Sequence, residues 1–177
     1  MSSDEGKNAR HKAAMEKQKK RVDAAIEAAD EERGVAILLT GNGKGKTSSA
    51  FGMIMRALGY GHRVGVVQFI KGAQLSGVEL YLRDHCPSVE FYQMGTGFTW
   101  DTQDRSSDME AAERTWAIAQ PMLENEGLDL VVLDELTYML SYDYLSEQTV
   151  LKALRDRPRE QSVVVTGRGG GSALQGI

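Results

Sequence analysis

An α/β fold, with a mostly parallel sheet covered by helices on both faces, is predicted from three observations. Apolar, β-branched runs alternate with helix-length stretches along the 177 residues. Glycines and charged residues gather just after those runs, where such sheets bind their ligands. The first run leads into a glycine-rich loop, a Lys-Thr pair and a helix-forming segment.

Residues 1–33 form a compositional block of their own. Met15, Val22, Ile26 and Ala29 make a thin helical stripe. The basic residues Lys7, Arg10, Lys12, Lys17, Lys19, Lys20 and Arg21 come first, and the acids Asp23, Glu27, Asp30, Glu31 and Glu32 come last. That order opposes the helix macrodipole. With so few apolar anchors, the arm is expected to be a marginal helix that orders when a partner or ligand arrives.

Residues 34–169 carry the α/β pattern. Strands are predicted at Val35–Thr40, Val64–Phe69, Val89–Met94, Leu130–Leu133 and Ser162–Thr166. Helices are predicted over 46–58, 74–85, 108–125 and 147–156. Ser107 with Glu110 reads as a capping box for the third helix, and Pro121 as its kink or early end. Ser146 is the expected cap of the fourth helix, which Pro158 closes. Residues 170–177 make a short, glycine-rich tail, linker-like from Gly169 to Ser172.

Composition narrows the function. A net charge of −4 argues against a general nucleic-acid binder. A single cysteine, Cys86, allows no internal disulfide and fits a reducing compartment. No apolar stretch is long enough to span a membrane, and the lysine-rich start is unlike a secretory signal. The expected location is the cytoplasm. Asp84-His85-Cys86 brings three potential ligands together, but no partner cluster accompanies it.

The loop Gly41-Asn42-Gly43-Lys44-Gly45-Lys46-Thr47-Ser48 reads as a phosphate-binding P-loop. Its glycines let backbone N–H groups turn toward an anion, and the helix that follows aims its positive end at the phosphates. Lys46 would neutralise phosphate charge and the Thr47 hydroxyl would ligate Mg²⁺. The spacing is unusual. Gly41 and Gly45 enclose three residues where four are standard, and Thr40 stands where the outer glycine would be. Downstream, Leu128 to Glu135 reads LDLVVLDE. A strand ending in Asp134-Glu135 supplies the carboxylates that Mg²⁺ needs opposite the threonine, and the two share that work directly or through water. Arg168, after the last strand, is placed to reach phosphate or ribose. Phe98 and Trp100, on the loop Met94-Gly95-Thr96-Gly97-Phe98-Thr99-Trp100, offer an apolar surface to a flat ligand. Nucleoside triphosphate binding in a P-loop NTPase-like fold follows.

The segments GNGKGKTSSAFG, VGVVQFIKG, MGTGFTW, LDLVVLDELTYML and VVTGRG occur in that order. Together they closely resemble the P-loop type ATP:corrinoid (cobalamin) adenosyltransferases, from about Glu31 to Gly169. The resemblance implies transfer of the 5′-deoxyadenosyl group of ATP to Co(I) of a corrinoid, with release of inorganic triphosphate. Gly41 to Ser48 would hold the triphosphate, with the nucleotide reversed relative to P-loop hydrolases. Thr47 and Glu135, with Asp134, would serve Mg²⁺. Arg168 and Arg56 match family positions that support the site. Phe98 and Trp100 match the aromatic pair that keeps a lower ligand off cobalt. The arm would fold over the corrinoid, which is cobalamin, cobinamide or a relative. A reduced flavodoxin or another flavin-type reductant would supply the electron, and a homodimer is implied.

Two other functions share these motifs. One is a P-loop kinase or ATPase, and the other a nucleotide- or corrinoid-binding protein with impaired catalysis. The family also continues past Thr-Gly-Arg-Gly with a further helix and strand, where this chain has Gly169 to Ile177. On that basis Ser162–Thr166 is expected to lack a neighbour along one edge.

Overall fold

The computed structural model describes residues 3–70, 76–95, 104–169 and 174–175. Two compact units divide the chain, residues 1–32 and 33–177. The first holds one helix, α1 (Ser3–Glu27), whose last turn has no basic residue to meet its negative end.

The second unit is built on β1 (Ala36–Leu39), α2 (Lys46–Gly59), β2 (Val64–Gln68), α3 (Gly77–His85), β3 (Glu90–Gln93), α4 (Arg105–Glu124), β4 (Leu130–Asp134), α5 (Leu136–Ser141), α6 (Glu147–Asp156) and β5 (Ser162–Thr166). The five strands form one parallel sheet in the order β1-β5-β4-β2-β3. The β-branched runs Val64–Gln68 and Leu130–Asp134 are buried throughout, as central parallel strands must be when both faces are covered. On one face Ala50, Phe51 and Ile54 of α2 and Leu82 of α3 pack over Val66, Val132 and Val164. On the other, Trp116 and Leu123 of α4, Leu136 and Met139 of α5 and Leu154 of α6 cover Val67, Val131 and Val165. The alternation of strand residues between two apolar layers follows from the two-residue side-chain period.

The expected open edge is placed differently. β5 is interior, paired on one side with β1 and on the other with β4. Its Val163, Val164 and Val165 are all buried, which suits a central strand. Among the described residues the strands that pair on one side alone are β1 and β3, both only partly buried. The tail also contributes apolar cover, because Leu174 is buried in the core beside Leu154, Val163 and Val165.

Helix ends show three further differences. Asp104, not Ser107, caps α4, and its Oδ1 accepts from the N–H groups of Ser106 and Ser107 at 3.0 and 3.4 Å. Pro121 does not end α4, which runs on to Glu124. Proline lacks a single N–H and so removes one internal bond, and burial of Leu123 holds the last turn. α5 was not expected, since a helix of 6 residues is too short to show a period. Ser146 caps α6 as read, its Oγ accepting from Thr149 N at 3.4 Å. Asp104→Ala is expected to cost about 1 kcal/mol, a loss of roughly 2–4 °C in Tm for a chain of this size. Ser107→Ala should cost less in the same thermal melts.

Candidate nucleotide and metal site

The strand order brings the P-loop after β1, the end of β4 and the end of β5 to the carboxyl edge of the sheet. In the loop Gly41 and Gly45 have φ of 114° and 105°, a region costly for any residue with a Cβ. Gly45 is the N-cap of α2, and among the described residues no side chain caps that helix. Its first-turn N–H groups therefore face the loop, where an anion can accept from them. The Lys46 ammonium donates to Gly41 O and Gly43 O at 2.8 and 2.7 Å, which curls the loop around the charge.

Asp134 ends β4 beside the loop. It is buried, and its Oδ1 accepts from Thr166 Oγ1 at 2.6 Å and its Oδ2 from Gln68 Nε2 at 3.0 Å. Burial pushes its carboxyl above the ordinary aspartate value, and hydrogen bonds from Thr166, Gln68 and Thr47 oppose that rise. The P-loop threonine and the β4 aspartate, read separately from sequence, thus meet in one cluster.

Glu135 adopts a left-handed backbone, φ 59° and ψ 21°, as β4 turns into α5. Such conformations are held only where the surroundings enforce them. Here the Glu135 N–H donates to Thr166 Oγ1 at 3.0 Å, so one hydroxyl orients both acidic residues. The Glu135 carboxyl is raised first by burial and then by the charge of Asp134, while Lys46 and Arg168 draw it down. Arg168 therefore shares the electrostatic field of the site. The adjoining turn is tight. A Cβ on Gly167 would stand 2.0 Å from Thr137 Oγ1, which itself donates to Arg168 O at 3.2 Å.

Arg56 is not brought to the loop. It lies in the last turn of α2, ten residues beyond Lys46 and so about 15 Å along the axis. Its guanidinium lies over Tyr60, 5.8 Å from the ring centroid, and it lines a cavity of about 550 Å³ with Tyr60, His62 and Asp129. Phe98 and Trp100 lie outside the described residues. Sequence reading gave roles to Thr47, Asp134 and Glu135, placed Gln68 and Thr166 at strand ends without a role, and passed over Glu79. The last residues of β2 and β5 were the available signal, since both strands end in a polar residue beside β4.

The donor set suits magnesium. Glu135 Oε2 is a buried oxygen with no hydrogen-bond partner among the described residues. With Thr47 and Asp134 it offers only hard oxygen donors, which Mg²⁺ prefers. No cluster of three or more His, Cys, Asp or Glu fit for a metal occurs among the described residues. A few protein oxygens complemented by phosphate and water is the usual Mg²⁺ arrangement.

The family model for the ATP:corrinoid adenosyltransferases BtuR/CobO/CobP matches residues 32–176. The chain belongs to this family. Members similar to it include the corrinoid adenosyltransferase of Escherichia coli (strain K12), 51% identical over 160 residues, which are 90% of this chain and 81% of that protein. The Pseudomonas aeruginosa corrinoid adenosyltransferase is 50% identical over 169 residues, 96% of this chain and 83% of its relative. A remote likeness in fold is found to the flagellar accessory protein FlaH from Methanocaldococcus jannaschii. Its TM-score is 0.47 at 10% identity, covering 78% of this chain and 62% of that one. No helix among the described residues is long and apolar enough to cross a membrane.

Proposed function

We propose that this chain transfers the 5′-deoxyadenosyl group of ATP to the Co(I) centre of a corrinoid. The electron pair of Co(I) attacks C5′ of the ribose and a Co–C bond forms. The C5′–O bond breaks, and inorganic triphosphate leaves with its electron pair. The nucleophile belongs to the substrate, so the protein's work is positioning and charge stabilisation. Membership of the family supports this reading. The observation that carries it is the convergence of Lys46, Thr47, Asp134, Glu135 and Arg168 on the mouth of one P-loop.

In this reading the loop amides from Gly41 to Ser48 and the Lys46 ammonium cradle the triphosphate. Thr47 and Glu135 would hold Mg²⁺, and Asp134, already engaged by Thr166 and Gln68, orients the Thr47 hydroxyl. The ion would neutralise charge on the departing triphosphate. Arg168 adds a second cation beside Glu135. By resemblance, Phe98 and Trp100 keep the lower ligand off cobalt and the N-terminal arm covers the corrinoid. A reduced flavodoxin or another flavin-type donor would generate Co(I), in a cytoplasmic homodimer.

Adenosine-labelled ATP tests the assignment. Incubation with Mg²⁺ and chemically prepared Co(I) corrinoid should move the label into the corrinoid fraction. Label retained in ADP would mean phosphoryl transfer instead.

A further inference from the structure

Gln68 is the last residue of β2, in register with Asp134 of β4, and is only 2% exposed. Its Nε2 donates to Asp134 Oδ2 at 3.0 Å and to Glu79 Oε1 at 2.5 Å. Glu79 is itself buried, although a glutamate is rarely so. Its other oxygen, Oε2, accepts from Ser76 N, and Ser76 Oγ accepts from Glu79 N at 3.4 Å. That pair is the capping box of α3. A continuous chain of bonds therefore runs from the start of α3 through Glu79, Gln68 and Asp134 to Thr166 and the Glu135 N–H.

A capping box works at the surface, so capping alone does not account for burying the Glu79 charge. Burial costs free energy unless the carboxylate is hydrogen-bonded. The Gln68 amide supplies that bond and makes a second with the same nitrogen. One NH₂ group sends one proton to each carboxylate, at an angle fixed by its planar geometry. Two acids of like charge are thus joined by a neutral, rigid bridge. The rotation of Asp134, and through it the Thr47 hydroxyl, is tied to the N-terminus of α3.

We propose that Gln68 and Glu79 are positioning residues for the metal and triphosphate site, acting through Asp134. The proposal rests on the reading of Thr47 and Glu135 as the Mg²⁺ holders. Groups that orient metal ligands typically change metal affinity about 10- to 100-fold when removed.

The test is a calorimetric titration of Mg²⁺ into ATP-loaded wild type, Gln68→Met and Glu79→Gln. Methionine keeps the approximate volume and removes both N–H bonds. Glu79→Gln keeps the shape but cannot satisfy Ser76 and Gln68 together with acceptors alone. Gln68→Met should raise the Mg²⁺ dissociation constant about tenfold, with ATP binding in EDTA changed less than about twofold. Glu79→Gln should shift it in the same direction by less, and carries the test if Gln68→Met fails to fold. In turnover, high Mg²⁺ should restore most of kcat. A folded variant with lowered Tm and unchanged Mg²⁺ affinity would overturn the tether and leave a purely structural role. If wild-type ATP binding ignores Mg²⁺, the metal reading fails and the tether fails with it.

Discussion

Lys46→Ala is expected to lower ATP affinity or turnover roughly ten- to a hundredfold, the weight of a charge-assisted phosphate contact of about 1.5–3 kcal/mol. The ammonium sits over the loop, 2.8 Å from Gly41 O and 2.7 Å from Gly43 O. Alanine removes its charge from the anion and also from Glu135, whose carboxyl Lys46 helps to keep ionised. Both losses act against an anionic ligand and its cation. Because the Lys46 bonds are exposed, the fold should survive, with an unchanged circular dichroism spectrum. Isothermal titration with ATP and Mg²⁺ measures the effect. Near-normal binding and adenosylation would refute the P-loop assignment.

Glu135→Gln should move stability and activity in opposite directions. The Glu135 carboxyl is raised from 4.5, mainly by burial and then by Asp134. A group raised in the folded state contributes stability below its unfolded value and loses it as pH rises through the folded value. At neutral pH the ionised glutamate therefore costs stability that a neutral glutamine does not. Tm of the ligand-free variant should exceed that of wild type at pH 7 to 8, and the gap should close as the buffer approaches the ordinary glutamate range. Mg²⁺-dependent turnover should fall on the order of a hundredfold, because the buried oxygen that would meet the cation in the proposed site loses its charge. A variant less stable than wild type at pH 8, with normal Mg²⁺ dependence, would show Glu135 to be structural.

Much of this site is legible in the sequence because its signals are local. Glycines 41 and 45, Lys46 and Thr47 lie within one loop, and the β-branched run of β4 ends on Asp134 and Glu135. What could not be read is lateral. That β5 lies between β1 and β4, placing Thr166 against Asp134, is set by sheet order rather than by any short segment. The same order joins Gln68 to Asp134 and makes β5 interior, leaving β1 and β3 as the edges. Arg56 lies apart from the loop cluster. It is close to the loop in sequence, but the helix rise carries it to the far end of α2. The roles of Asp134 and Glu135, inseparable as neighbouring acids, differ once bonds are traced. Asp134 is fully engaged, whereas Glu135 keeps a buried oxygen without a partner among the described residues.

The most direct test follows both products of one reaction. Wild-type protein, ATP, Mg²⁺ and an anaerobic Co(I) corrinoid are mixed while the absorbance change of Co–C bond formation is recorded. Triphosphate is then quantified from the same sample. Attack at C5′ predicts one triphosphate for each Co–C bond, with no ADP. Release of ADP and phosphate, or triphosphate without a Co–C bond, would contradict adenosyl transfer as the function of this chain.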